Sequence, residues 1–181
     1  MKVIDARVMH HLSNGVPEGE NVTKAVKHYR DVAYLYEHPR DDDPVVYEVY
    51  THDEGPARPG NLFWGLTAMK PVDSHGECNM TRGHFHEDRS CTEYYFCLRG
   101  EGLLLLMDET GETWAERMSE GSLHHIGGHL AHRCVNTSET EELWVGACWP
   151  TVSGHDYDAI EQREFAYRVK RVDGKIVFEK R

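Results

Sequence analysis

After Pro44 the chain breaks into short β-prone segments, each closed by a turn, and this rhythm limits its fold more than any other feature. Val45 to Tyr50 (VVYEVY) mixes β-branched and aromatic residues, and Leu62 to Met69 (LFWGLTAM) does the same. TEYYFCL, LLLLM, WAERM and LWVGACW (Leu143 to Trp149) follow, the last ended by Pro150. Gly100 and Gly102 bracket one turn and DETGET makes another. Side chains of these types fit a pleated, half-buried surface. Many short strands with regular turns form a sandwich or barrel. The tail FAYRVKRVDGKIVFEK sets Asp173-Gly174 between two β-prone runs, a hairpin signal. The expected fold is an all-β antiparallel barrel with a short N-terminal arm and a C-terminal hairpin. The acidic, turn-rich HPRDDDP (His38 to Pro44) separates arm from body. Within the arm, TKAVKHYRDVAYLYEH carries a weak helical period, and a short helix is expected there. No linker or fixed-period repeat appears. At 181 residues the chain reads as one domain, 1–181, with its core over about 44–166.

One stretch of this pattern, TRGHFHEDRSCTEYYFCLRGEG (Thr81 to Gly102), carries the chemistry. Side chains alternate across a strand, so His84 and His86 share a face while Phe85 takes the other. EDRSC reverses the chain. On the returning strand Glu93, Tyr95 and Cys97 share a face, which sets Glu93 across from the two histidines. GHLAHRCVN then supplies His132, on one face with Cys134 and Asn136. In a closed barrel His84, His86, Glu93 and His132 can converge inside.

Three imidazoles and one carboxylate, with no thiolate, suit Fe(II), Mn(II), Ni(II) or Zn(II) better than a closed structural zinc site. An octahedral ion would keep two positions for adjacent substrate oxygens. A lone HxH pair would read as ordinary polar barrel residues. The joint spacing of Gly83, the pair, Glu93, Gly100, Gly121, His132 and Asn136 is what points to a metal. Among the thirteen histidines, His124 lies near His132 without comparable partners, and His125 and His129 stay open as alternatives to it. His10, His11, His28, His38, His52 and His75 read as surface residues. Cys97 and Cys134 read as space-filling beside the ligands, and Cys91 as an exposed turn residue.

The formal net charge of -11 disfavours nucleic acid and anionic membranes, which need clustered Lys and Arg. It leaves room for a small anionic substrate, because surface charges are screened over about 8 Å and local donors decide. Five cysteines form no CxxC pair, the N-terminus lacks a signal-like apolar stretch, and the longest aliphatic run, Leu103 to Met107, is far too short to span a membrane. A cytoplasmic protein with reduced thiols is expected.

The two-part metal pattern resembles that of the cupins, small antiparallel β-barrels of the jelly-roll type. DPVVYEVY (Asp43 to Tyr50), TRGHFH (Thr81 to His86), EYYFCLRGEG (Glu93 to Gly102), AHRCVN (Ala131 to Asn136) and GHDY (Gly154 to Tyr157) occur in that order. Together they resemble the cupin-type glucose-6-phosphate isomerases, over roughly Pro44 to Ala166. The HxH motif marks only the superfamily, whereas DPVVYEVY, the Thr-x-Gly before HFH, and GHDY mark the isomerases.

This resemblance implies one divalent metal ion per subunit on His84, His86, Glu93 and His132. Iron is the usual ion, with other divalent ions accepted. It implies that Thr67, Thr81 and Gly83 hold the substrate phosphate and that Tyr47, Tyr95, His155 and Tyr157 line the sugar pocket. Glu93, Tyr95 and His155 are then the catalytic candidates, with Glu93 as the proton carrier. The implied activity is glucose 6-phosphate to fructose 6-phosphate isomerisation in glycolysis and gluconeogenesis, by a homodimer. The chain departs from the pattern at Gly127-Gly128, where relatives often carry Pro-Pro, and at Trp149-Pro150, where they carry Tyr-Pro.

The chemistry accommodates this reading. A cation touching both oxygens would polarise the carbonyl and stabilise an enediolate, with a base moving the proton between C1 and C2. A metal-assisted hydride shift is the rival route. Arg82 adds charge for a phosphate, and Asp156 can orient His155. Without the resemblance, Thr67 and Thr81 would read as plain strand formers. A cupin dioxygenase and a non-catalytic sugar-binding cupin are the alternatives, since one fold hosts many functions.

Overall fold

Antiparallel pairing organises nearly all of the chain, which the computed structural model describes from Met1 to Arg181. Strands β1 (Val8–His10) and β2 (Pro17–Gly19) form a small sheet of their own. Next come β3 (Val22–His28), β4 (Val45–Asp53), β5 (Leu62–Met69), β6 (Asp73–Ser74), β7 (Glu77–Met80), β8 (Glu93–Arg99), β9 (Glu101–Met107) and β10 (Thr113–Ser119). They are followed by β11 (Leu123–Ile126), β12 (Ala131–Asn136), β13 (Leu143–Pro150), helix α1 (Asp158–Gln162), β14 (Tyr167–Val172) and β15 (Lys175–Lys180).

One sheet runs β11-β8-β13-β5-β4-β3, and the other runs β10-β9-β12-β7-β14-β15 with β6 beside β7. Of these, β5-β13-β8-β11 and β7-β12-β9-β10 are the two four-stranded halves of a jelly roll. The fold is therefore the all-β jelly roll that the strand rhythm and the cupin pattern led one to expect. Leu104, Leu106 and Met107 of β9, Val135 of β12, Cys97 of β8, Met69 of β5 and Val145 of β13 are among 26 residues of one buried cluster between the sheets.

The arm differs from expectation. No α-helix forms in TKAVKHYRDVAYLYEH. Val22–His28 is a strand paired along β4, followed by two 3-10 turns, Tyr29–Asp31 and Ala33–Leu35. The open edge of β4 offers a row of backbone partners, and that pairing outweighs a weak local period. The Asp31 carboxylate accepts the His28 N–H at 3.0 Å where the strand ends. Tyr29, Val32, Leu35 and Tyr36 then enter the main core, so the buried cluster reaches past Pro44, as it does past Ala166 with Val169.

A second difference bears on the site. The segment through His86 is not one continuous strand, because β7 stops at Met80 and Gly83 takes φ +77°. His84 then bridges His132 of β12, and Phe85 bridges Asp156. Nor do the two histidines form a hairpin with Glu93. The chain crosses from one sheet to the other, and β8 pairs with β11 and β13. The C-terminal hairpin does form, its Asp173-Gly174 turn having φ of +50° and +72°, the primed turn that matches strand twist.

Candidate active site

Four side chains meet across the sandwich. His84 and His86 come from the crossover after β7, Glu93 opens β8 in one sheet, and His132 is in β12 of the other. Their ligand atoms all lie within 4.8 Å of one another. His132 Nε2 is 2.5 Å from Glu93 Oε1, and His86 Nε2 is 3.5 Å from the same oxygen. The His84 and His132 rings are 4.3 Å apart.

The polar accounting of this cluster points to a cation. His86 Nδ1–H donates to the Cys91 carbonyl at 2.9 Å, and His132 Nδ1–H donates to the Leu130 carbonyl at 3.3 Å. A carbonyl only accepts, so both protons sit on Nδ1 and both Nε2 lone pairs face inward. His86 Nε2, His132 Nε2 and Glu93 Oε1 are buried without a hydrogen-bond partner. Buried polar atoms are rarely left so, and three convergent lone pairs repel unless a cation lies among them. Burial alone would raise the Glu93 carboxyl, but positive charge on His132 and His86 outweighs it and holds it at about 2; a bound cation takes over that part when the Nε2 lone pairs face inward. Burial, helped by His132, His155 and His86, pushes His84 well below the usual imidazole range. An ionised carboxylate and a neutral imidazole are the forms that bind a divalent ion.

The decoy histidines stand apart. His125 and His129 are exposed and outside the cluster. His124 is buried, but its ring is engaged by Glu116 at 2.6 Å and Ser122 at 2.9 Å. Cys97 and Cys134 are buried, and burial pushes both thiols up, Cys97 to about 11. Cys91 is buried as well, against the exposed turn position expected of it, packed where its carbonyl accepts from His86.

A cavity of about 150 Å³ opens over the cluster, with His84, Glu93 and His132 in its wall. The structure brings Tyr47, Thr67, Thr81, Gly83, Tyr95, His155 and Tyr157 to the same cavity, while His86 lies behind it. Tyr47 comes from β4, Thr67 from β5 and Tyr95 from β8; His155 and Tyr157 precede α1. Thr81 Oγ1 accepts the Cys134 N–H at 3.0 Å, which leaves its own hydrogen to donate. Burial pushes the Tyr47 phenol up to about 12 and Tyr95 well above its ordinary value, so both stay protonated donors at neutral pH. His155 stacks on Tyr157 at 5.7 Å and lies 4.4 Å from the His84 ring. The Arg82 guanidinium sits 4.0 Å over the Tyr157 ring and 2.7 Å from Glu161 of α1.

Gly83 is constrained twice over. Its φ lies in the left-handed region, and a Cβ there would meet Phe165 at 3.0 Å and Arg133 Nε at 3.1 Å. Gly83→Ala is therefore expected to cost about 1–3 kcal/mol and to displace the Thr81–Gly83 loop. A melting temperature equal to that of the parent chain would refute this.

Some supporting residues are invisible to motif reading. Arg133, fully buried beside His132, donates to the Arg82 carbonyl at 2.6 and 3.2 Å and to Glu164 at 3.1 Å. It lies 4.7 Å from the Phe165 ring and pins the Thr81–Gly83 loop from below. Its only sequence signal is an arginine inside the buried run AHRCVN. Of the Gly127-Gly128 pair, Gly128 gains a reason. A Cβ on Gly128 would collide with the carbonyl oxygens of Arg89 and Cys91, so this glycine lets the loop lie against the backbone that orients His86. Trp149 joins the cavity wall.

Comparison with known proteins adds an independent line. The family model "Glucose-6-phosphate isomerase (GPI)" matches residues 24–181. The glucose-6-phosphate isomerase of Thermococcus litoralis is 32% identical over 165 residues, covering 87% of this chain and 86% of that protein. The Pyrococcus horikoshii enzyme of the same name is 34% identical over 135 residues, 75% of this chain and 70% of that one. Among solved structures, an oxalate oxidase in complex with the substrate analogue glycolate overlays with a TM-score of 0.46 at 11% identity, covering 76% of this chain and 55% of that one.

Proposed function

The chain belongs to the glucose-6-phosphate isomerase family, and from that membership we propose that it interconverts glucose 6-phosphate and fructose 6-phosphate with one divalent metal ion held by His84, His86, Glu93 and His132. The observation that carries the metal-dependent reading is the set of three buried, unpartnered ligand atoms in one cluster at the cavity wall. Three nitrogens and one oxygen suit Fe(II), Mn(II), Ni(II) or Zn(II) alike, and the family resemblance puts Fe(II) first among them. When bound, such an ion supplies Lewis acidity toward the oxygens on C1 and C2.

The chain's own residues supply the rest. Thr67, Thr81 and Gly83 take the phosphate through hydroxyls and a backbone N–H, and Arg82 adds the charge that those neutral donors lack. Tyr47, Tyr95 and Tyr157 donate to sugar hydroxyls and close the cavity around the sugar. Glu93 takes the proton from one carbon and returns it to the other, while the hydroxyl proton passes from the oxygen on C2 to the oxygen on C1. His155, at the rim on the Tyr157 ring, orients the reacting end of the sugar. The reading includes one cupin domain over the whole chain acting as a cytoplasmic homodimer in glycolysis and gluconeogenesis. No helix is long and apolar enough to cross a membrane.

The direct test is isomerase activity on fructose 6-phosphate before chelation, after it, and after metal is restored. Activity that follows the metal is expected, and an inactive iron- or manganese-loaded protein would end this reading. Turnover in heavy water tests the proton route. Product carrying solvent deuterium is expected, whereas product free of it would replace Glu93 chemistry with direct hydride transfer between the carbons. Arg82→Gln is expected to raise KM for fructose 6-phosphate about tenfold with kcat little changed, consistent with loss of one charge-assisted bond worth about 1.5 kcal/mol. An unchanged KM would remove Arg82 from the phosphate site.

A further inference from the structure

The loop that carries His155 and Tyr157 is sewn to the segment that carries His84 and His86. The Asp88 N–H donates to the Ser153 carbonyl at 2.9 Å, the Phe85 N–H to the Asp156 carbonyl at 3.3 Å, and the Asp156 N–H to the Phe85 carbonyl at 2.8 Å. His155 and Tyr157 approach His84, with ring centroids at 4.4 and 5.6 Å. Neither side chain has a hydrogen-bond partner of its own; the rings stack on each other and Arg82 covers Tyr157, and the backbone and the residue between them fix where that stack stands.

That residue is Asp156, and both of its carboxylate oxygens are engaged. Oδ2 accepts from Arg89 Nη2 at 2.6 Å, and Oδ1 accepts the Ala159 N–H at 3.0 Å in the first turn of α1. Arg89 also lies 4.5 Å over the ring of Phe85, the residue between the two histidines. One carboxylate thus ties the His84–His86 segment, the His155–Tyr157 loop and the start of α1 together. The two side chains of the pair are 26% and 29% exposed, and ion pairs with this much solvent contact contribute little to global stability.

We propose that Arg89 and Asp156 form a positioning pair that holds His155 and Tyr157 at the working distance from the His84 side of the cluster. The inference rests on the isomerase reading above and deepens it. The pair touches no reacting atom; it acts through the two rings. A misplacement of about 1 Å of a group that orients substrate is enough to cost about 100-fold in rate.

The test uses Asp156→Asn, Arg89→Gln, their double variant and Arg89→Lys in the full-length, metal-loaded protein. Asparagine keeps the Oδ1 acceptor for Ala159, so the start of α1 survives. Each single variant is expected to lower kcat on fructose 6-phosphate by about 10- to 100-fold, with KM within about threefold, and metal content and melting temperature near the parent's. The double variant should lose no more than either single, the mark of residues that act as a unit. Arg89→Lys should recover most of the loss. Unchanged kcat in both singles would overturn the proposal, as would losses that follow metal content or melting temperature. An inactive parent protein would strike the isomerase reading instead, so the two failures are distinct.

Discussion

His132→Ala is expected to lose bound metal and isomerase activity together. His132 is 1% exposed and contributes the only cluster nitrogen that comes from a regular strand of the β7-containing sheet. Its Nε2 lies 2.5 Å from Glu93 Oε1. Alanine removes one of four donors, and His125 and His129 lie outside the cluster and cannot replace it. Loss of a residue that merely supports a ligand costs about 10- to 100-fold in metal affinity, and loss of the ligand itself should exceed that. Metal content by elemental analysis and kcat/KM on fructose 6-phosphate are the two measurements. Full occupancy in His132→Ala would show that the fourth ligand has been misassigned. His125→Ala and His129→Ala serve as controls that keep both metal and activity.

Glu93→Gln is expected to lower kcat by about 10²–10⁴-fold, the usual worth of a positioned acid–base group, while the protein still folds. Glutamine has nearly the same shape and keeps one oxygen toward the cluster, but it brings neither the negative charge nor a base. The environment of Glu93 makes the comparison sharp. Positive charge at the cluster, on His132 and His86 or on a bound ion, holds its carboxyl at about 2 against the opposing pull of burial, so the parent residue is ionised throughout the neutral range. Metal content should fall less in this variant than in His132→Ala. A Glu93→Gln protein that keeps its metal and about a tenth or more of its kcat would take the proton-carrying role away from Glu93 and favour direct hydride transfer.

Much of the molecule was legible in the chain because the relevant signals are local. VVYEVY, LFWGLTAM, TEYYFCL and LWVGACW became β4, β5, β8 and β13, since branched and aromatic residues between turn-formers leave few alternatives. The Asp173-Gly174 hairpin was legible for the same reason. The arm was not, because its helical period was weak and the edge of β4 offered a better partner than the arm could offer itself.

By itself the sequence determined the all-β character of the fold, the candidate ligands His84, His86 and Glu93 with His132 ahead of His125 and His129, and, through its ordered motifs, the resemblance to the family, because strand propensity, donor type and motif spacing are properties of neighbouring residues. Only the tertiary structure decided how the ligands meet. The two crossover histidines face Glu93 across the sandwich instead of along a hairpin, and Arg133, Gly128 and the Arg89–Asp156 pair hold the loops around them. Those contacts join residues distant along the chain, and their distances depend on how the two sheets close, which no local pattern encodes.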